Sequence, residues 1–147
     1  MSDRVLIIDE NLNPRLAREL RNRGRRAVAV EDLRLKSALD PELIEKVFQL
    51  YDDPVLITAD NAMPAEHEAL LANVLATVAV VKPWDRDEAH TGRWEGQDHR
   101  SEEEWAQEIV HRWAHKIHDQ RTGTIRRYSV NTHAPWRRPR RTRRPVS

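Results

Sequence analysis

The chain has 147 residues, 33% of them charged, a mean hydropathy of −0.80 and no cysteine. That length supports one domain with a real core and crowds two; the lack of cysteine excludes a disulfide scaffold and thiolate metal sites and fits a reducing, cytoplasmic setting. The net charge of +1 hides an asymmetry: all 24 acids lie at or before Asp119, against 16 Lys and Arg, a net −8, whereas residues 120–147 hold nine Arg and no acid. A basic tail on an acidic body points to a polyanion, or an acidic protein, as the tail's partner. No apolar run approaches the roughly 20 residues that span a bilayer, and the run at residues 5–8 is too short for a signal peptide, so no membrane association is expected.

Val5-Leu6-Ile7-Ile8 reads as a buried parallel strand that runs into Asp9-Glu10-Asn11. Asn13-Pro14 opens a helix with Leu16, Ala17 and Leu20 as its apolar stripe and Gly24 as its stop. Residues 27–30 are a second strand. Asp40-Pro41 repeats the cap-plus-proline start ahead of a helix whose apolar face is Leu43, Ile44, Val47, Phe48, Leu50 and Tyr51. Asp52-Asp53-Pro54 breaks that helix before the strand Val55-Leu56-Ile57-Thr58, which ends, after Ala59, at Asp60-Asn61. A short helix over residues 64–72, anchored by Leu70 and Leu71, leads to a last strand over residues 77–81, closed by Lys82-Pro83. The alternation of strands and helices predicts a three-layer α/β domain with a mainly parallel sheet over residues 1–83.

Residues 84–100 have no periodicity and read as an exposed loop. Ser101-Glu102-Glu103-Glu104 spells a capping box ahead of an amphipathic C-terminal helix over residues 101–120. Trp105, Ile109, Trp113 and Ile117 recur on one face of it; packing on its own domain is the favoured explanation, a dimer or protein-partner interface the alternative. Residues 121–147 read as a basic, flexible tail in which Tyr128 and Trp136 are placed to stack on unpaired bases. His111, His115 and His118 share a helical face but read as surface residues rather than a zinc site. With four glycines and no glycine-rich loop, no nucleotide cofactor is expected.

In an open parallel sheet, ligands bind beyond the carboxyl ends of the strands. If the first and third strands are neighbours, Asp9 and Asp60 meet there, and a cation between them relieves their repulsion. Asp9 and Asp60 are therefore the leading metal-ligand and catalytic candidates. Asp40 is a third, against its plain reading as an N-cap, and Glu10 a fourth, against plain solvent exposure. Mg²⁺ or Mn²⁺ suits this oxygen-only set, because both keep several waters and need only two or three carboxylates. Such a metal can activate a water and stabilise a phosphodiester under attack. Asn11 and Asn61 are suited to orienting a water or a carboxylate, though Asn is common in turns.

Asp9-Glu10-Asn11-Leu12 with Pro14-Arg15-Leu16-Ala17-Arg18-Glu19-Leu20 resembles the opening of PIN-like domains, where "DEN" ends the first strand and a "P-x-L-A-x-x-L" helix follows. Ala38-Leu39-Asp40-Pro41-Glu42-Leu43-Ile44 is similar to that branch's "S-D-E-E-I" segment, and Leu56-Ile57-Thr58-Ala59-Asp60 to its "L-(V/I)-T-x-D" strand end. The resemblance covers roughly residues 4–83. It implies a metal-dependent ribonuclease acting on RNA, with Asp9, Asp40 and Asp60 as the acidic cluster. It further implies a VapC-type toxin held by a cognate antitoxin protein; a homodimer is the separate expectation that the stripe of the C-terminal helix raises. The chain departs from the branch's "D-x-D-F", reading Asp60-Asn61-Ala62-Met63, so one acid is missing; Asp85 or Asp87 is the candidate replacement.

On this reading Arg137, Arg138, Arg140, Arg141, Arg143 and Arg144 form an RNA-binding arm. Two rivals stand beside it. A catalytically inactive PIN-like interaction module would keep the fold without the chemistry. A phosphorylatable receiver domain would account for Asp9-Glu10, Asp60 and Lys82-Pro83, but about 20 residues between Asp60 and Lys82 leave room for one helix and one strand where a receiver needs two of each.

Overall fold

The computed structural model describes residues 4–33, 40–82 and 102–138, with the backbone alone at Asp40 and Glu102. Four strands fall on the apolar runs: β1 (Val5–Ile8), β2 (Arg26–Ala29), β3 (Val55–Thr58) and β4 (Thr77–Val81). Two more, β5 (Ile125–Tyr128) and β6 (His133–Pro135), lie in the C-terminal segment. All six form one sheet in the order β2-β1-β3-β4-β5-β6, parallel except for the antiparallel pairing of β5 with β6. The fold is thus α/β with a mainly parallel sheet, as the sequence predicts.

The helices are α1 (Arg15–Asn22), a 3-10 turn (Val30–Leu33), α2 (Asp40–Leu50), α3 (Met63–Glu66), α4 (Glu68–Asn73) and α5 (Glu102–His118). The side chains of β1 alternate between two cores. Leu6 and Ile8 join Leu16 and Leu20 of α1 and Ile109 and Ile117 of α5 on one face. Val5 and Ile7 join Leu43, Ile44 and Val47 of α2 and Leu71 of α4 on the other. Strands covered on both faces have no polar side to show, which is why β1, β3 and β4 read as unbroken apolar runs. At the start of α1, Asn13 Oδ1 accepts the Arg15 N–H (2.9 Å). At its end, Gly24 takes φ +85° and Arg25 donates its N–H to Leu20 O (3.0 Å).

Arg4 ties the start of β1 to the far end of α5. Its side chain, 7% exposed, donates to Asp53 O (3.0 Å), Asp53 Oδ1 (2.9 Å), His118 O (2.8 Å), Gln120 O and Thr122 Oγ1 (3.1 Å).

Two sequence expectations need correction. The single short helix over residues 64–72 is instead two, α3 and α4, broken at His67, whose φ −122° and ψ 29° leave the helical region. The segment from residue 121 is not a flexible tail over its first part, because β5 pairs with β4 and β6 with β5. The residues of β4 are all buried, so its outer edge requires a neighbour, and Ile125-Arg126-Arg127-Tyr128 supplies one despite its two arginines. Tyr128 is 0% exposed and donates its hydroxyl to Gln120 Oε1 (3.0 Å), so it is a core residue and not a stacking platform for bases.

The apolar stripe of α5 is covered by its own domain. Trp105, Ile109 and Ile117 are buried among residues of the sheet and α1. The half-buried Trp113 donates Nε1–H to Ser129 O (2.8 Å) and packs edge-on to His133, with ring centroids 4.8 Å apart. Among the described residues, no helix is long and apolar enough to cross a membrane. The expected loop over residues 84–100 and the Ser101 cap lie outside the described residues.

Candidate active site

β1 and β3 are adjacent and parallel, so the residues after them leave the same edge of the sheet side by side. The pairing continues one step past the strand, where Asp9 donates its N–H to Ile57 O (2.9 Å). Asp9 is 8% exposed, and both its carboxylate oxygens meet donors. Oδ1 accepts the Glu10 N–H (2.8 Å), and Oδ2 accepts the Thr58 hydroxyl (2.8 Å), with Asn11 Nδ2 at 3.5 Å.

Thr58 is the hub of the constellation. Its Oγ1 accepts from Asn11 Nδ2 (3.1 Å) and from the Asp60 N–H (3.1 Å) while donating to Asp9. Asn11 Oδ1 accepts the Ala59 N–H (3.0 Å), which fixes which end of that amide faces Thr58. One hydroxyl therefore links the Asp9 carboxylate to the backbone of Asp60. Asp60 in turn points Oδ1 at the Ala62 N–H (3.0 Å) and the Met63 N–H (3.2 Å), an Asx turn that leads into α3.

A cleft of about 780 Å³ opens over this edge, lined by Glu10, Asn11, Asn13, Asp60 and Glu103 among others. A neighbouring cavity of about 240 Å³ is lined by Asp9, Glu10 and Glu31. Glu10, Leu12 and Pro14 line both, so Asp9 and Asp60 face adjoining spaces. Asn13 donates from Nδ2 to Glu103 Oε1, which brings the start of α5 over the cleft.

The fold thus brings together Asp9, Glu10, Asn11 and Asp60. Asn61 lies beside them, but its Oδ1 accepts from Trp136 Nε1 (3.2 Å), so this oxygen is turned to the C-terminal segment. Asp40 starts α2, and its side chain lies outside the described residues, as do Asp85, Asp87, Arg140, Arg141, Arg143 and Arg144. Arg137 is exposed, and Arg138 pairs with Glu68 of α4. His111 faces Glu19 (3.2 Å), whereas His115 and His118 face Asp119, at 3.3 and 3.0 Å. Among the described residues, no group of three or more His, Cys, Asp and Glu is placed to hold a metal ion.

Sequence reading missed three residues of the site. Thr58 was legible only as a strand end, although a hydroxyl directly before Ala-Asp was a usable signal. Glu31 and Glu103 reach the cavities through the 3-10 turn and α5, contacts that no local pattern announces.

A parallel α/β domain with carboxylates at the carboxyl ends of two adjacent strands is the class that fold and site define. A family model described as "PIN like domain" matches residues 5–82, a little over half of the chain, and the chain belongs to the PIN-like domain family. Members of this family are generally nucleases, which sets the coarse functional class. No curated protein and no solved structure matches the chain.

Proposed function

We propose that the protein is a metal-dependent endoribonuclease that cleaves single-stranded RNA at the crevice beyond β1 and β3. The observation that carries this reading is the Asp9–Thr58–Asp60 network, which holds two carboxylate residues on neighbouring strand ends through a single hydroxyl. The donor set is chemically apt for Mg²⁺ or Mn²⁺, since Asp9, Asp60 and Glu10 offer only hard oxygens, with Asp40 as a further carboxylate at the start of α2. When bound, such an ion lowers the pKa of a coordinated water and offsets charge on the attacked phosphodiester. Asp9 and Asp60 are the residues that would hold it. Thr58 and Asn11 keep the first of them aimed, and Glu103 and Asn13 line the far wall of the cleft.

An acidic crevice repels RNA, so the arginines from Arg137 to Arg144 serve as a cationic arm that raises the local RNA concentration. The resemblance to VapC-type toxins supports a place in a two-gene pair, where an antitoxin protein would hold the enzyme inactive. The second reading, an inactive interaction module, draws on Ala62 standing where the family's second acid belongs.

Cleavage of a single-stranded RNA by the wild-type chain and by Asp60→Asn, with Mn²⁺ or Mg²⁺ and with chelator, separates the two. The ribonuclease reading expects cleavage that chelator and Asp60→Asn both abolish. Cleavage retained in full by both Asp9→Asn and Asp60→Asn puts the active site elsewhere. A wild-type chain that neither cleaves nor binds Mn²⁺ is the inactive module. A small DNA-binding protein in the adjacent upstream reading frame would support the toxin role.

A further inference from the structure

Asn61, next to Asp60, is gripped from outside the matched part of the chain. Trp136 Nε1 donates to both Asn61 O (3.3 Å) and Asn61 Oδ1 (3.2 Å). Trp136 is itself well anchored. Its backbone N–H extends the β5–β6 pairing by donating to Ile125 O (2.9 Å), and its ring packs on the core between the sheet and α2–α4. Two residues on, Arg138 pairs with Glu68 of α4.

The turn that Trp136 holds is the one that aims the Asp60 carboxylate. Asp60 Oδ1 is oriented by the N–H groups of Ala62 and Met63, and these open α3, a helix of four residues. So short a helix cannot maintain its first turn by propensity, because nucleation is costly and few bonds follow to offset it. From the sheet side, Thr58 Oγ1 fixes the Asp60 N–H. From the helix side, the indole fixes Asn61.

We infer that Trp136 is a positioning residue for Asp60: its bifurcated hydrogen bond to Asn61 makes the C-terminal segment a structural part of the crevice rather than an appendage. The effect on catalysis rests on the ribonuclease reading above; the effect on the turn does not.

Trp136→Phe in the full-length chain tests this, because it keeps an aromatic ring in the core and deletes the N–H donor. Two readouts are needed: amide hydrogen exchange at Ala62 and Met63, and steady-state kinetics on a short single-stranded RNA. Loss of one hydrogen-bond donor to the turn should lower protection of these two amides roughly 3- to 10-fold. Protection across β1, β3 and β4 should not change. kcat should fall by a similar factor with KM little altered, since positioning of a reacting carboxylate matters most in the transition state.

Unchanged exchange at Ala62 and Met63, or an equal loss of protection across the whole sheet, overturns the proposal. So does a local loss of protection in a chain whose kcat holds at the wild-type value. If the wild-type chain neither cleaves RNA nor binds Mn²⁺ while the two amides still lose protection in Trp136→Phe, the latch on Asp60 stands and the ribonuclease reading falls. Should Trp136→Phe fail to fold, Asn61→Ala, which removes one of the two acceptors from a half-buried turn, is read by the same exchange criteria.

Discussion

Asp9→Asn and Asp60→Asn remove the same charge from the same crevice, yet their effects on stability should differ sharply. Thr58 Oγ1 has two donors beside it, Asn11 Nδ2 and the Asp60 N–H, so its single proton has only Asp9 Oδ2 to bond. The other Asp9 oxygen faces the Glu10 N–H. An asparagine at position 9 must therefore set its NH₂ against a donor whichever way it turns. A buried donor left without an acceptor costs about 1–3 kcal/mol, and charge-assisted bonds such as these lie at the upper end. Relief of carboxylate repulsion opposes the loss, but Glu10 is exposed and screened and the Asp60 carboxylate is turned to the Ala62 and Met63 N–H groups, so the lost bonds dominate. The expected net cost is about 2 kcal/mol.

At position 60 the same substitution is mild. One oxygen, Oδ1, takes both the Ala62 and the Met63 N–H, and the carbonyl of an asparagine can replace it. Asn and Asp side chains both support such a turn, so stability should stay within about 0.5 kcal/mol of wild type. Urea unfolding measures both: with an m-value near 2 kcal/mol/M, Asp9→Asn should lower the midpoint by about 1 M at unchanged m, and Asp60→Asn should barely move it. Equal midpoints for the two variants would refute the donor assignment around Thr58. Asp60→Asn is accordingly the clean variant for the cleavage assay, since its loss of activity cannot be blamed on unfolding.

Arg4→Met should cost about 3 kcal/mol, because it strands carbonyls of the α5–β5 connection and takes the ion-pair partner from Asp53, whose Thr122 hydroxyl bond and partial exposure moderate the penalty; a loss below about 1 kcal/mol in urea unfolding would exclude the knot as a stabilising element. Burial pushes the Tyr128 phenol above its ordinary 10.0, with Arg126 opposing more weakly. A folded-state value above the unfolded one gives stability that is intact below pH 10 and lost as pH rises through the folded value. Tyr128→Phe should flatten that alkaline decline in urea midpoints while lowering stability at pH 7 by about 1–2 kcal/mol through the unpaired Gln120 oxygen, and an unchanged alkaline slope would count against it. Replacing Arg137, Arg140, Arg141, Arg143 and Arg144 with Gln should reduce the salt dependence of RNA binding by about 0.7 in log–log slope for each phosphate no longer neutralised. Cleavage of a saturating short substrate should survive; an unchanged slope would remove RNA as the partner of the arm. A deletion for the same purpose must begin after Arg138, since cutting at residue 134 would remove most of β6 and the Trp136 latch.

The sequence by itself determined the α/β class, the positions of the first four strands and the carboxylates that follow two of them. Those signals are local: an apolar run covered on both faces, a proline at a helix start, a glycine at φ +85°. The α5 stripe was equally legible, since Trp105, Ile109 and Ile117 recur at helical spacing, but only the packed core decides that it lies on its own sheet. What the sequence could not show was pairing at a distance. Ile125-Arg126-Arg127-Tyr128 is too basic to read as a strand, and it becomes one because β4 needs a partner along its outer edge. Thr58 gains its role only when β1 and β3 lie side by side, and Asn61 acquires its partner from a residue 75 positions away. Hydrogen-bond direction around Thr58 and the grip of Trp136 on the Asp60 turn belong to no single segment. They exist only once the sheet has ordered its strands, because each joins donors and acceptors that the chain carries far apart.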